Sequence, residues 1–90
     1  MEKIIITVVG KDSVGIIAAI CNTLSEHSVN ILDISQTIVQ DFFNMMMIAD
    51  MQKSDIGFEK LQELLKKAGE EKGVVVRCQR EEIFTSMHRV

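Results

Sequence analysis

The 90-residue sequence contains no tryptophan, tyrosine or proline, and only four phenylalanines and two cysteines. Two cysteines are too few for a disulfide-rich scaffold, and no Cys/His spacing in the chain is typical of a zinc site. No apolar run approaches the roughly 20 residues that a membrane-spanning helix needs. The net charge of −3 gives no overall attraction to nucleic acid or anionic lipid. We therefore expect no metal, no cofactor, no membrane partner and no nucleic-acid partner.

The composition that remains is that of one small globular domain. Apolar residues make up 47% of the chain and charged residues 26%, which is typical of a folded protein. We interpret residues 1–90 as a single domain with one core, and chains of this size often gain stability from partners. The first three residues lead directly into a β-like run without a cleavage site, so we expect no signal peptide and a cytoplasmic protein.

Hydrophobic periodicity predicts four strands and two helices. The strands are predicted at residues 4–9, 29–39, 42–49 and 74–80. The first helix starts at Ile16, after a cap at Asp12 or Ser13, and the second follows a cap at Ser54 or Asp55 and stops at Gly73. Their predicted apolar stripes are Ile17, Ile20, Cys21 and Leu24, and Phe58, Leu61, Leu64, Leu65 and Ala68. Residues 82–87 predict a short C-terminal helix.

The order βαββαβ indicates an α+β, ferredoxin-like sandwich: a four-stranded antiparallel sheet with two helices on one face. The first and third strands are the most apolar, as central strands should be, and polar residues concentrate on the second and fourth, as edge strands should have. Alternation assigns three wholly apolar sets to the helix-covered face. They are Ile4, Ile6 and Val8; Phe43, Met45, Met47, Ala49 and Met51; and Val74, Val76 and Cys78.

The opposite face of the predicted sheet is mixed but rich in aliphatic residues. Its predicted members are Ile5, Thr7, Val9, Met46, Ile48, Val75 and Arg77. A monomer rarely exposes a large contiguous apolar patch. We expect either a second copy of the chain or the C-terminal helix to cover this face.

The segment from Gly10 to Gly15 is the main candidate for chemistry. Two glycines and Asp12 between a strand and a helix allow a tight turn whose N–H groups point outward at the positive end of the helix. Such a turn can hold a carboxylate or a phosphate, although an ordinary turn with a capping aspartate has the same spacing. It lacks the ending of a P-loop and the glycines of a dinucleotide fingerprint.

Few other residues point to a function. Asn30, after the first helix, is expected to lie near that turn, where its amide could donate and accept hydrogen bonds. The alternative is a loop residue whose amide hydrogen-bonds to its own backbone. Cys21 and Cys78 are interpreted as core residues, and His27 and His88 have no evident partner. Related folds also fit poorly, because the first strand lacks the stacking aromatics of an RNA-binding sheet. The first loop lacks the arginine of an acylphosphatase and the cysteine pair of a copper carrier.

With these residues identified, the chain resembles the ACT domain family, and most closely its free-standing single-domain members from bacteria and archaea. The resemblance lies within residues 5–12, 14–16, 29–37, 42–45 and 83–89. The Asn-Ile-x-Asp-Ile-Ser-Gln run at 30–36 and the tail are more specific than the Gly-x-Asp turn. Many family members have Arg-Pro before the second glycine, where this chain has Ser13-Val14 and lacks the stiffness of proline.

The resemblance implies a non-catalytic regulatory module that binds a small molecule, most often an amino acid, and acts through homo-oligomerisation, with a dimer expected. The partner it regulates would be a metabolic enzyme or regulator. In this family the ligand binds where the first loop of one copy meets the second strand of another. Carried over to this chain, the ligand-binding residues are Lys11, Asp12, Val14, Gly15, Asn30 and Ile31. The alternative is a constitutive assembly module without a metabolite.

Overall fold

The computed structural model describes residues 1–11 and 14–82, and these form a four-stranded sheet with two helices. The strands are β1 (Lys3–Lys11), β2 (Asn30–Val39), β3 (Phe42–Asp50) and β4 (Val74–Arg80). The helices are α1 (Ile16–Glu26) and α2 (Phe58–Glu71). The predicted C-terminal helix at 82–87 lies largely outside the described residues. Neither helix in the described part of the chain is long and apolar enough to span a membrane.

The strand order is β2-β3-β1-β4. Every pairing is antiparallel, with Ile6 opposite Met47 on one side and opposite Cys78 on the other. This confirms the ferredoxin-like fold and the prediction that the two most apolar strands are central. The β2–β3 hairpin has a two-residue connection at Gln40, which has a φ of 58°, and Asp41.

The core fills the space between the sheet and the two helices. All eleven residues that alternation assigned to the covered face are buried, and they pack with Ile16, Ile20 and Leu24 of α1 and with Leu61 and Leu65 of α2. Burial of each aliphatic side chain contributes about 1.5–3 kcal/mol. Gly69 lets α2 approach β4, because a Cβ at this position would lie 3.0 Å from the carbonyl oxygen of Val74.

The first helix starts at Ile16 as predicted, but the residues that precede the two helices are not the predicted caps. The residue preceding α1 is Gly15, with a φ of 85°, and the residue preceding α2 is Gly57; neither makes a side-chain capping bond. Ser54 Oγ instead accepts a hydrogen bond from the Ile56 N–H at 3.3 Å, within the turn before α2. The end of α2 is as predicted, since Gly73 follows with a left-handed φ of 71°.

The predicted apolar stripe of α1 is confirmed at Ile20, Cys21 and Leu24 and is wrong at Ile17. Ile16 is buried, whereas Ile17 is exposed on the side of the helix that faces away from the core. Ile16 and Ile17 are adjacent, so periodicity admits either one, and Ile16 is the one that belongs to the core. The stripe of α2 is confirmed in outline, with Leu61 and Leu65 at its centre.

Candidate functional site

The first half of the candidate site is the start of α1. Lys11 ends β1, and Val14 is 95% exposed. The first intrahelical bond runs from the Ala19 N–H to the Gly15 carbonyl at 2.9 Å, which leaves the N–H groups of residues 16–18 without partners inside the helix. No acidic side chain occupies this first turn. An anion would therefore be stabilised by the helix dipole and by these donors.

Lys72 adds a positive charge to this end of the molecule, and sequence reasoning did not identify it. A Cβ built on Gly15 would lie 3.2 Å from Lys72 Nζ, so the ammonium group lies beside the start of α1. The predicted topology was enough to place Lys72 near this site, because in a βαββαβ fold the end of α2 and the start of α1 lie at the same end of the sheet. Asp12, also predicted for this site, lies outside the described residues.

The second half of the candidate site is a surface depression where α1 ends and β2 begins. Its volume is about 470 Å³, and its lining contains no charged side chain. The predicted site residues Asn30 and Ile31 line it, together with Cys21, Ser25, Ser28 and Val29. Ser28, with a φ of 57°, makes the turn between helix and strand. Cys21 and Ser25 share one face of α1 because they are four residues apart.

Within one chain, the two halves of the candidate site lie at opposite ends of the sheet. The ladder places Lys11 beside Phe42, which pairs with Val39, whereas Asn30 pairs with Asp50, which pairs with Lys3. Eight residues of extended strand, about 26 Å, separate Lys3 from Lys11. The expectation that Asn30 lies near the first loop of its own chain is therefore wrong. The helix runs back along the sheet before β2 begins, so residues at its two ends are far apart.

Strand β2 connects these two ends and is itself unprotected. None of its ten residues is buried. Ile34 and Ile38 pair with Met47 and Phe43, which places them on the helix side of the sheet, yet they are 41% and 53% exposed. The helices of the same chain therefore leave much of both side chains uncovered.

Three ionisable side chains of the described residues are tied to the fold by a hydrogen-bond partner or by burial. His27 Nδ1 lies 3.0 Å from Asp55 Oδ1, so His27 has a partner that the sequence did not reveal. Asp50 accepts hydrogen bonds from the Gln52 and Glu2 N–H groups, and these bonds hold the pKa of its carboxyl below the usual value. Burial raises the pKa of the Cys78 thiol to about 12. Among residues 1–11 and 14–82, no group of three potential metal ligands comes together.

Comparison with known proteins assigns this geometry to a family. A model of the ACT domain matches residues 2–79. A UPF0237 protein from Bifidobacterium longum is 58% identical over 90 residues, and one from Methanopyrus kandleri is 48% identical, each match covering 100% of both chains. Among solved structures, an ACT domain protein from Streptococcus pneumoniae superposes with a TM-score of 0.80 at 36% identity, covering 92% of this chain and 93% of that one.

Proposed function

The chain belongs to the ACT domain family, and from this premise we propose that it is a cytoplasmic, non-catalytic regulatory module that binds an amino acid or a similar small metabolite between two copies of itself. The observation that carries the proposal is the separation of the site residues: Lys11, Val14 and Gly15 lie at one end of the sheet, and Asn30 and Ile31 lie at the other. One chain cannot bring them to the same small ligand.

A two-fold axis perpendicular to the sheet, beside the outer edge of β2 and level with its middle, resolves this separation. If β2 pairs antiparallel with β2 of a second copy, the end of the sheet that carries Lys11 comes next to the depression beside Asn30 of the other copy. The same pairing covers Ile34 and Ile38, which the helices of their own chain leave exposed. A closed two-fold interface of this kind forms two identical sites.

Each end of the site suits one end of a zwitterion. The N–H groups at the start of α1 that have no partner within the helix, with Lys11 and Lys72 nearby, would hold the ligand carboxylate. The depression of the second copy offers the amide of Asn30 and the negative end of its α1, where no basic side chain occupies the last turn. The ammonium group of an amino acid would lie there, and Asp12 is a further candidate to accept it.

Occupancy would regulate a partner protein only if the ligand favours one arrangement of the two copies over another. A ligand that bridges the loop of one chain and β2 of the other has this property, since it binds only when both are in place. The partner expected from the family is a metabolic enzyme or regulator.

A second function, constitutive assembly without a metabolite, is favoured by Val14. This side chain is 95% exposed at the tip of the first loop, and the two-fold pairing would direct it toward the depression of the other copy. In that case Val14 itself would fill the space, and no ligand would be needed.

A thermal-shift screen against the amino acids separates the two functions. A ligand at about 100 times its Kd adds about 2.7 kcal/mol, which is roughly 10–20 °C for a domain of this size. We expect a shift of this order with at least one amino acid, and its loss in Gly15→Val and Asn30→Leu. An unchanged melting temperature with every amino acid would favour constitutive assembly.

Mixing the two variants tests whether the site is shared between chains. Gly15→Val and Asn30→Leu should each bind no ligand alone, yet a mixed dimer contains one intact loop facing one intact depression. Random exchange of subunits should restore about a quarter of the wild-type sites, because half of the dimers are mixed and each has one good site of two. No recovery after exchange would place the whole site within one chain.

A further inference from the structure

One wall of the depression beside β2 has an unfavourable backbone conformation. Ser28 lines the depression and has a φ of 57°, in the left-handed region. This region is uncommon for a residue other than glycine, because its Cβ crowds the neighbouring backbone. Such residues persist only where surrounding contacts hold them, and they are frequent at ligand sites. The contacts that hold Ser28 therefore help to set the shape of the depression.

The backbone hydrogen bonds of this turn return to α1. The Ser28 N–H donates to the Ser25 carbonyl at 3.2 Å, and the Val29 N–H donates to the Leu24 carbonyl at 3.0 Å. These bonds hold the turn against the helix that it leaves. They do not connect it to the segment between β3 and α2.

The side chain of His27, the residue before Ser28, makes that connection. Its Nδ1 lies 3.0 Å from Asp55 Oδ1. An ionised carboxylate can only accept a hydrogen bond, so Nδ1 carries the proton and donates it, whether or not Nε2 is also protonated. The His27 side chain is 25% exposed, so most of it is enclosed by the fold.

The segment of residues 51–57, which presents Asp55, is itself well anchored. Met51 is buried, and its carbonyl accepts a hydrogen bond from the Ser54 N–H at 3.0 Å. Ser54 Oγ accepts a second bond from the Ile56 N–H at 3.3 Å, and Ile56 packs against the core. Asp55 lies between Ser54 and Ile56, so its carboxylate is a fixed point to which the end of α1 can be attached.

His27 approaches Asp55 from the side of α1 that faces away from the depression. Cys21 and Ser25 share the helix face that lines the depression. His27 follows Ser25 by two residues, which is a rotation of about 200° around the helix axis. An effect of His27 on a bound molecule would therefore pass through the turn at Ser28 and not through direct contact.

We propose that His27 is a positioning residue of the ligand site: its hydrogen bond to Asp55 holds the turn at Ser28 in the shape that the depression requires. This inference rests on the ligand site proposed above, and it adds a means of regulating that site. A ligand that fits the depression favours the arrangement in which the His27–Asp55 bond is made, and by reciprocity the bond favours the ligand.

Alkylation of Cys21 by iodoacetamide reports the shape of the depression without any ligand. Cys21 lines the depression and is half-buried, whereas Cys78 is buried, and peptide mass analysis separates the two labels. Loss of one hydrogen bond shifts an opening equilibrium by about 2–10-fold. We expect His27→Leu and Asp55→Ala to raise the Cys21 rate by this factor. His27→Asn retains an N–H donor and should retain the wild-type rate.

Two further variants separate a positioning role from a general loss of stability. Gln62→Leu also removes one side-chain hydrogen bond, at the β4 edge, and should leave the Cys21 rate unchanged. Ser28→Asn favours the left-handed conformation by itself. Adding His27→Leu to Ser28→Asn should therefore raise the Cys21 rate by a smaller factor than adding it to the wild type, which is a coupling that a double-mutant cycle measures.

The amino acids of the thermal-shift screen complete the test. Any amino acid that stabilises the wild type should bind His27→Leu about 2–10-fold more weakly, and His27→Asn as tightly as the wild type. If no amino acid binds while the Cys21 rate still rises in His27→Leu, the proposed ligand is wrong and the positioning role of His27 is supported. A Cys21 rate that is the same in His27→Leu, Asp55→Ala and the wild type would overturn the inference. An equal rise in Gln62→Leu, or an unchanged amino-acid affinity in His27→Leu, would also overturn it.

Discussion

The two edges of the sheet differ in almost every respect. β4 has seven residues, three of them buried beneath α2, and Gln62 Nε2 of that helix donates a hydrogen bond to the Cys78 carbonyl at 2.7 Å. Its exposed side chains include Arg77. β2 has ten residues, none buried, and exposes Ile34 and Ile38 on the side where helices should lie. Only Asp33 on this strand is charged.

The difference shows which edge is closed and which is available. Natural sheets protect their edges with charges and covering elements, among other devices. β4 has both, and it is shorter than β2 by three residues. β2 has little such protection. A long exposed edge strand can pair with a strand of another chain. This asymmetry is the basis on which we propose that two copies pair through β2.

The largest effect is expected from placing charge on the β2 edge. Ile34→Lys and Ile38→Lys would each remove about 1.5–3 kcal/mol of apolar burial, counted twice across the two-fold axis. We expect the dimer Kd to rise at least about 100-fold, measured by sedimentation at decreasing concentration. Val75→Lys, a matched change on β4, should keep β2-paired dimers intact. A dimer insensitive to Ile38→Lys would contradict pairing through β2.

Burial of the Cys78 thiol on β4 should make the free energy of unfolding depend on pH. Burial raises the pKa of Cys78 from 9.0 to about 12, so the unfolded chain loses this proton at lower pH than the folded chain. Stability is therefore complete below pH 9 and falls between pH 9 and 12, by about 1.4 kcal/mol for each pH unit. Urea unfolding should show this slope in wild type and in Cys21→Ala, and not in Cys78→Ala. Equal slopes in all three proteins would mean that the β4 core is open to solvent.

The close approach of α2 to β4 can be tested at Gly69. Alanine favours a helix by about 1 kcal/mol over glycine, yet a Cβ here would meet Val76 and the Val74 carbonyl. We expect Gly69→Ala to lower the free energy of unfolding by about 1–3 kcal/mol. Gly57→Ala is the control, because no atom lies within 4 Å of a Cβ at that position. A stabilised Gly69→Ala protein would show that α2 can move away from β4.

The smallest effect concerns the hydrogen bond that covers the β4 edge. Gln62→Leu removes the donor to the Cys78 carbonyl and should cost about 0.5–1.5 kcal/mol in urea unfolding. Lys66→Leu, one turn further along α2, introduces the same side chain without removing that bond. If the two variants have equal stability, Gln62 does not protect this edge.

The sequence was sufficient to predict the sheet and its faces, because alternation at residues such as Ile4, Ile6 and Val8 is dictated by burial on one side. It also located the end of α2, where Gly73 takes a left-handed conformation. The start of α1 at Ile16 was predicted correctly, but the caps were not, because Ser13 and Asp55 have capping chemistry whereas the residues that precede the helices are Gly15 and Gly57.

The candidate site was predicted less well than the fold. Sequence adjacency suggested that Asn30 would lie near Gly15, but an intervening helix carries the chain to the other end of the sheet. Lys72 was missed because it reaches Gly15 through packing between segments that are distant in sequence, and the lining residue Cys21 was missed because it was interpreted as a core residue. Contacts of this kind follow from the tertiary arrangement and are not encoded in local periodicity.

Hydrogen exchange of the two edge strands at high and low protein concentration tests the central claim most directly. If β2 pairs with β2 of another copy, the amides of residues 30–39 exchange slowly in the assembled protein and quickly once dilution separates the chains, while the protection of residues 74–80 stays the same. Equal exchange of β2 at all concentrations, in a protein that light scattering shows to be assembled, would mean that the copies meet elsewhere and that the proposed shared site does not exist.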